Sequence, residues 1–203
     1  MLNFNFQLPT RILFGRDRIS ELGKEVRKYG NRVLLVYGGG SIKKTGLYDR
    51  VIESLNSNGI SYVELSGVQP NPRITSVREG VKLCRDNQVE LVLAVGGGSV
   101  IDCAKIIAAG VNYEGDPWDF FIHNARITGA LPIGTVLTLA ATGSEMNANA
   151  VISNEDTGQK LDISSRHLYP RFSILDPTLT FTVPPLQTAA GTADIMSHVF
   201  EQY

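Results

Sequence analysis

Two continuous apolar runs in this chain each end abruptly in the same four residues, Gly-Gly-Gly-Ser. The first run covers residues 33–37 and is followed by the glycines and serine of 38–41; the second covers 91–95 and is followed by 96–99. Uninterrupted apolar runs of this length are typical of strands that are buried on both faces of a parallel sheet. The chain must therefore fold so that a buried strand passes through a glycine turn into a helix.

Apolar residues at helical spacing separate these strands. The spacing predicts helices over 17–29, 47–55, 74–84 and 100–110, and further short strands over 62–65, 132–139 and 172–175. Strands that alternate with crossover helices predict an α/β fold, a Rossmann-like doubly wound parallel sheet.

The two ends of the chain differ from this pattern. Residues 3–14 alternate apolar and polar side chains, with Phe4 and Phe6 among the apolar ones, which predicts a short hairpin or an edge strand. Residues 154–158 are polar and predict a loop. Two prolines at 184–185 predict the start of a helix. No residue typical of a helix C-cap follows before the sequence stops at Tyr203. We therefore expect an NAD(P)-binding α/β domain over 1–183, and over 184–203 the beginning of a truncated α-helical metal-binding domain.

Composition excludes several classes of partner. The 203 residues are 43% apolar, with 19 basic and 20 acidic residues and a net charge of −1. This balance argues against binding to nucleic acid or to a membrane surface, which require concentrated positive charge. Cys84 and Cys103 lie far apart and are expected to be reduced core thiols. With no apolar run of membrane-spanning length, we expect a cytoplasmic protein.

The second glycine loop has the chemistry of an anion-binding site. Glycine lets the backbone approach a ligand closely, and the N–H groups at a helix N-terminus favour negative charge. A pyrophosphate would fit there, with the Ser99 hydroxyl as a further donor, while Asp102 could instead cap the helix. Neither loop matches GxGxxG, so two tight turns that need positive φ are the alternative. Their occurrence in successive units favours nucleotide binding.

Asp194 and His198 are four residues apart in the last predicted helix, so their side chains lie on one face. This spacing lets a carboxylate oxygen and an imidazole nitrogen reach one divalent ion. The alternative is an ordinary contact on a solvated face, because a metal site normally needs three or four protein ligands. The other two histidines, His123 and His167, are expected at the surface.

Three segments occur in an order and spacing typical of one family. They are GGGSVIDCAK at 96–105, TLAATGSE at 138–145 and AGTADIMSH at 190–198. Together they resemble the iron-containing (group III) alcohol dehydrogenase family. YGGGSIKKTG at 37–46 and the ending EQY at 201–203 are most similar to its butanol dehydrogenase-like branch.

The resemblance implies a two-domain enzyme that transfers hydride between a primary alcohol or aldehyde and NAD(P), with Fe²⁺ or Zn²⁺ held by one Asp and three His. It implies that Asp194 and His198 are catalytic residues and the first two metal ligands, and that the other two ligands would come from helices that this sequence lacks. It also implies pyrophosphate contacts at Gly97, Gly98 and Ser99, ribose and nicotinamide contacts at Thr138, Leu139, Thr142 and Asn149, Lys160 on the nicotinamide ribose side, and Asn71 on the adenosine side. With these, the predicted cofactor site includes Asp102 and the first loop, Gly38, Gly39, Gly40 and Ser41.

The first loop also bears on cofactor choice. A site that prefers NAD usually offers a carboxylate to the adenine ribose. Here the loop has no acid, and Lys43 and Lys44 follow it. Cations and hydroxyl donors suit a 2′-phosphate, which favours NADP over NAD. The alternative is that both lysines are simply a solvated helix start.

Other interpretations stay open. One is a related glycerol dehydrogenase or dehydroquinate synthase-like enzyme, which shares the two-domain plan. Another is an inactive nucleotide-binding fragment, because half of a ligand set should not catalyse. The N-terminal strand offers an edge for pairing, so we expect a homodimer.

Overall fold

A six-stranded, wholly parallel β-sheet forms the centre of the molecule. The computed structural model describes residue 3 and residues 7–201. Its strands in chain order are β1 (Arg11–Phe14), β2 (Arg32–Tyr37), β3 (Ser61–Leu65), β4 (Leu91–Gly96), β5 (Ile133–Leu137), β6 (Asn149–Asn154), β7 (Gln159–Ser164) and β8 (Phe172–Leu175). The order across the sheet is β1-β8-β5-β4-β2-β3, while β6 and β7 form a separate antiparallel hairpin.

Helices connect the strands on both faces of the sheet. They are α1 (Leu22–Arg27), α2 (Ser41–Lys44), α3 (Leu47–Ser57), α4 (Ile74–Asp86), α5 (Gly98–Gly110) and α6 (Pro185–Phe200), with short 3₁₀ turns at Arg18–Glu21, Pro117–Phe120, Arg166–Leu168 and Pro177–Thr180. The predicted doubly wound α/β class is confirmed.

The order of the strands reverses between β2 and β4. From β2 the chain moves outward to β3, then returns to the other side of β2 to form β4. Such a reversal opens a crevice at the carboxyl ends of the two central strands. Because Tyr37 pairs with Val95 in the parallel register, both glycine loops leave the sheet side by side.

Side chains of the central strands alternate between two apolar cores. Leu34 and Val36 of β2 join one core, whereas Val33 and Leu35 join the other. Burial on both faces explains why these strands are continuous apolar runs, since each such side chain contributes about 1.5–3 kcal/mol. Both cysteines are buried free thiols, as predicted.

Two segments differ from the sequence-based prediction. The helix expected over 17–29 is divided into the 3₁₀ turn at Arg18–Glu21 and α1, after Asp17 takes a left-handed conformation with φ 61°. The polar stretch 154–158 is the turn of a hairpin whose strands the prediction missed. On β6 only alternate residues are buried, so this hairpin lacks the continuous apolar signal of the central strands.

The chain ends show further outcomes. Of the predicted N-terminal hairpin or edge strand, Arg11–Phe14 forms an edge strand beside β8, and Phe4 and Phe6 lie outside the described residues. The helix predicted after the two prolines is α6. His123 is exposed and His167 partly exposed. Within 7–201, every helix is too short or too polar to cross a bilayer.

Candidate functional site

A cavity of about 330 Å³ lies at the carboxyl edge of the central strands. Ser41 of the first glycine loop and Gly97 of the second both line it, together with Thr138 and Leu139 directly after β5. Four predicted cofactor residues therefore meet in one place. The other lining residues are Ile42, Thr45, Leu47, Arg50, Thr178, Leu179, Thr182, Val183, Pro184 and Gln187.

The sequence-based prediction missed several of these residues. Arg50 is the only charged side chain among the described residues that line the cavity, and its Nη2 lies 2.7 Å from Oδ1 of Asp17. Thr178 and Thr182 follow β8. Because β8 is parallel to β5, its carboxyl end reaches the same edge of the sheet. The Asp-Pro-Thr segment after a predicted strand was the signal that could have found them.

Close packing explains the glycines of the second loop. Gly97 is extended (φ −90°, ψ −170°), and neither Gly96 nor Gly98 has positive φ. A Cβ on Gly98 would lie 2.4 Å from Oγ1 of Thr142, and one on Gly96 would lie 2.6 Å from Cγ2 of Val100. The alternative of a turn that needs positive φ is therefore wrong for this loop. The loop opens a 13-residue helix, whose N–H groups favour an anion.

The first loop differs in its physical basis. Gly40 has φ 101°, a conformation that favours glycine, so the turn interpretation holds there. A Cβ on Gly39 would meet nothing within 4 Å. The helix that follows, α2, has only four residues, so its dipole is weak. The other two residues of the predicted loop, Gly38 and Ser41, lie on either side of the turn at Gly39 and Gly40.

The ammonium of Lys43 lies over two aromatic rings beside the first loop. Its Nζ is 5.2 Å from the ring centroid of Tyr37 and 4.6 Å from that of Tyr48. The hydroxyls of both tyrosines donate to the carboxylate of Glu64, at 2.5 and 2.6 Å. Although partial burial opposes it, these hydrogen bonds hold the pKa of Glu64 below its ordinary value. The charge of Lys43 is thus partnered within the protein.

Asn71 and Lys160 are in direct contact. Lys160 Nζ on β7 donates to Oδ1 of Asn71 at 2.8 Å. The hairpin is docked onto this loop, because the N–H of Ser153 donates to the carbonyl of Pro72 at 2.8 Å. Asn71 itself has φ 56°. Neither residue is among those that line the cavity between the glycine loops.

Asp102 faces the protein interior. Its Oδ1 accepts from the Ser144 hydroxyl at 2.6 Å, and its Oδ2 accepts from the N–H of Val151 at 3.1 Å. Burial raises the pKa of this carboxyl, although the two donors and Lys105 oppose the shift. The alternative that Asp102 caps α5 is wrong, because its two oxygens accept from Ser144 and Val151, which lie outside that helix. Asp102 holds the chain from Ser144 to Val151 against the helix.

Asp194 and His198 lie on one face of α6, as predicted. His198 Nε2 is 3.7 Å from Asp194 Oδ2, and both side chains are about half exposed. Donor atoms this close can share an ion at ligand distances of about 2.0–2.2 Å, so the pair fits as two metal ligands. Among the described residues no group of three or more metal-ligating side chains occurs. Helix α6 packs on the β5 loop at Gly191, whose Cβ would lie 3.1 Å from the carbonyl oxygen of Ala140.

A parallel sheet with glycine loops where its strand order reverses defines a Rossmann-like α/β protein. Residues 9–177 match the family model of the iron-containing alcohol dehydrogenases. The chain belongs to this family, as its three sequence segments indicated.

Known relatives agree with this assignment. The chain is 59% identical over 203 residues to NADH-dependent butanol dehydrogenase A of Clostridium acetobutylicum, and 48% identical over 206 residues to the NADPH-dependent aldehyde reductase YqhD of Escherichia coli. Each match covers 100% of this chain but 52% of the relative, so the chain spans about half their length. The solved NADH-dependent butanol dehydrogenase A of Thermotoga maritima superposes with a TM-score of 0.96 at 54% identity, over 98% of this chain and 50% of that one.

Proposed function

We propose that this chain is the cofactor-binding half of a metal-dependent alcohol dehydrogenase or aldehyde reductase. The reaction is hydride transfer between NAD(P) and a primary alcohol or aldehyde. The observation that carries the proposal is the convergence of Ser41, Gly97 and Thr138 on one cavity where the strand order reverses. Ligands of open α/β sheets bind in that crevice. Family membership supports the class of reaction.

The pyrophosphate binds at the N-terminus of α5, at Gly97, Gly98 and Ser99. This is the longer of the two helices that follow glycine loops, with 13 residues against four, so it offers the stronger dipole. Leu139 is the nearest neighbour that a Cβ on Gly97 would meet, at 3.4 Å, which leaves the backbone there open to a ligand. The first loop, from Gly38 to Ser41, borders the adenosine end of the cavity.

The ribose and nicotinamide lie along the segment that follows β5. Thr138 and Leu139 line the cavity, and Thr142 and Asn149 are exposed further along the same segment. Lys160 is proposed to border the nicotinamide ribose and Asn71 the adenosine side, and the hydrogen bond between them would hold the two side chains together. Asp102 is proposed to support this segment through its hydrogen bond with Ser144, without touching the cofactor.

We favour NADH as the cofactor. The sequence-based preference for NADP depends on Lys43 and Lys44, but the ammonium of Lys43 stacks on Tyr37 and Tyr48 near the Glu64 carboxylate. Lys43 is exposed, so this contact is weak, yet a 2′-phosphate would have to overcome it to recruit the ammonium. Relatives at 55–59% identity are named for NADH, whereas the NADPH-dependent one is 48% identical.

Asp194 and His198 are proposed as two ligands of Fe²⁺ or Zn²⁺. The 3.7 Å between their donor atoms supports this, and on α6 they follow Gly191, where the helix meets the loop after β5, by about one turn (Asp194) and two turns (His198). When bound, the metal supplies Lewis-acid chemistry, stabilising negative charge on the alcohol oxygen. The residues of this chain would orient the cofactor beside that oxygen.

The proposed domain boundary lies at residue 184. Residues 1–183 form the NAD(P)-binding domain, and 184–203 begin a helical metal-binding domain. Exposed apolar side chains on α6, including Leu186 at 81% and Phe200 at 66%, support a role in packing against further helices. We also propose a homodimer, since β1 has only β8 as a neighbour among the described strands and offers its other edge.

Cofactor binding is tested directly with the 203-residue chain. We expect NADH to bind in calorimetry and NADPH to bind more weakly. Substituting Ser99→Ala removes one donor and should weaken both several-fold, whereas Ser57→Ala at the end of α3 should change neither. A chain that binds neither nucleotide would overturn the proposed function.

Turnover tests the competing function, a nucleotide-binding module without activity. The assay is NADH oxidation with butyraldehyde in the presence of Fe²⁺ or Zn²⁺. A protein of the relatives' full length should turn over, and this chain should not, because two ligands hold a metal poorly. Turnover by the 203-residue chain would contradict the division of ligands, and its absence in the longer protein would favour the module. Light scattering of the longer protein tests the dimer.

A further inference from the structure

Lys105 is a fully buried lysine whose ammonium is completely hydrogen-bonded. Its Nζ donates to the carbonyl oxygen of Asn147 at 3.0 Å, to Oδ1 of Asn147 at 2.9 Å and to the carbonyl oxygen of Asn149 at 2.7 Å. A lysine ammonium has three N–H groups, so all of them are used. Since an unpartnered buried charge is very costly, these acceptors must stay in place around it. The ammonium therefore fixes the backbone from Asn147 to Asn149.

Lys105 stands in the same helix as the second glycine loop. It lies seven residues after Gly98 on α5, about 10 Å along the helix axis. One turn closer to the loop, Asp102 accepts hydrogen bonds from Ser144 and Val151. Helix α5 thus anchors residues 144–151 at two points one helical turn apart, first through the Asp102 carboxylate and then through the Lys105 ammonium.

Two predicted cofactor residues lie beside and within the anchored segment, since Thr142 precedes it by two positions and Asn149 belongs to it. Thr142 and Asn149 are exposed, whereas Ser144 between them is buried. Oδ1 of Asn147 also accepts from the N–H of Asn149, so the ammonium and this amide form one network. Movement of the ammonium would therefore move the backbone that carries Asn149.

A buried lysine is not needed for stability alone, because apolar residues of similar volume often replace buried charges without loss. Two of its three acceptors, however, belong to Asn147, in a segment without regular structure, and the third is the carbonyl oxygen of Asn149, the first residue of β6. A charge with several donors can hold such a segment in one conformation, which an apolar contact does less specifically.

We propose that Lys105 is a positioning residue of the cofactor site. It fixes the position of the segment that carries Thr142 and Asn149 relative to the second glycine loop. In this way one helix, α5, aligns both the pyrophosphate and the nicotinamide half of the cofactor. The inference rests on the proposed function and adds to it a residue that touches neither cofactor nor substrate.

The test compares two nucleotides in the 203-residue chain. NADH uses both glycine loops and the anchored segment, whereas ADP uses the glycine loops without that segment. For Lys105→Met we expect the Kd of NADH to rise at least tenfold and the Kd of ADP to change less than twofold. Lys82→Met, an exposed lysine of α4, is the matched control and should change neither.

Each result decides between the alternatives. Equal weakening of NADH and ADP would mean general damage to the fold and would overturn the inference, as would unchanged NADH binding. If Lys105→Met does not fold, Asn147→Ala removes one of the three acceptors, together with the side-chain bonds of Asn147 to Asn149 and Thr142. It should weaken NADH about threefold with ADP unchanged; failure of that pattern would also overturn the inference. A wild-type chain that binds neither nucleotide would instead overturn the proposed function.

Discussion

Gly98 and Thr142 are packed so closely that a Cβ at position 98 would lie 2.4 Å from Oγ1 of Thr142. Cβ and Cγ2 of Thr142 would lie at 3.3 and 3.0 Å, so rotation of the side chain alone does not make room. We expect Gly98→Ala to lower the free energy of unfolding by about 1–3 kcal/mol, as overpacking does. It should also weaken NADH binding, because the added methyl group would push the second glycine loop away from the segment after β5 that carries Thr142.

Urea denaturation measures this change. Gly39→Ala in the first loop is the control, since its Cβ would meet nothing within 4 Å and its φ is not positive. If the two variants were equally stable, close packing would not be the reason for glycine at position 98.

The contact of Asp102 with Ser144 and Val151 predicts a second stability effect. Asp102→Leu leaves a buried hydroxyl and a backbone N–H without an acceptor, and each such group costs about 1–3 kcal/mol. Adding Ser144→Ala removes one of these orphaned groups, so the double variant should be less destabilised than the sum of the single variants. A double-mutant cycle in urea measures the coupling. Strict additivity would show that the 2.6 Å contact contributes nothing.

Lys105 predicts a rise of stability with pH. Burial lowers its pKa to about 8, against the opposing effect of the Asp102 and Glu145 carboxylates. An unfolded lysine has a pKa of about 10.4, so between these values the unfolded chain binds more protons than the folded one. The free energy of unfolding should therefore increase across that window, by about 1–3 kcal/mol relative to Lys105→Met.

Only the difference between wild type and Lys105→Met is informative here, because tyrosines titrate in the same range. It is measured by urea denaturation between pH 7.5 and about 10, where lysines begin to titrate. A difference that falls with pH would mean that the buried ammonium is stabilised by its acceptors more than it is destabilised by burial.

The contact between Lys160 and Asn71 predicts an effect on binding without one on stability. The pair is exposed and joins the hairpin to the loop before α4. We expect Lys160→Met to weaken NADH about three- to tenfold while the free energy of unfolding changes by less than about 0.5 kcal/mol. Lys24→Met, exposed on α1, is the control for the lost charge. Unchanged affinity would remove Lys160 from the cofactor site.

Asp194 and His198 predict weak metal binding by this chain. As two of the four ligands proposed, they should hold Zn²⁺ with a Kd on the order of 0.1 mM or weaker. His198→Ala should abolish the calorimetric signal, whereas His123→Ala, in an exposed turn, should not. Submicromolar binding that survives His198→Ala would place the metal elsewhere.

Local sequence patterns predicted those elements in which consecutive residues are all buried and therefore all apolar. The runs at 33–37 and 91–95 predicted β2 and β4 because those strands are buried on both faces. The hairpin of β6 and β7 escaped prediction because one face is exposed, which halves the apolar signal. The 3₁₀ turn before α1 also escaped, since its spacing differs little from that of a helix.

The sequence by itself determined the fold class, the two glycine loops, the Asp194–His198 face and, through its motifs, the family. The tertiary structure decided which of these parts meet. It brought Arg50 and Thr178 to the cavity, engaged Lys43 with two tyrosines, and turned Asp102 and Lys105 inward. The physical reason is the distance along the sequence over which each feature is determined. Burial and turns follow from neighbouring residues, whereas Lys105 contacts a segment 42–44 positions away. Such contacts depend on the order of the strands, which no local pattern encodes.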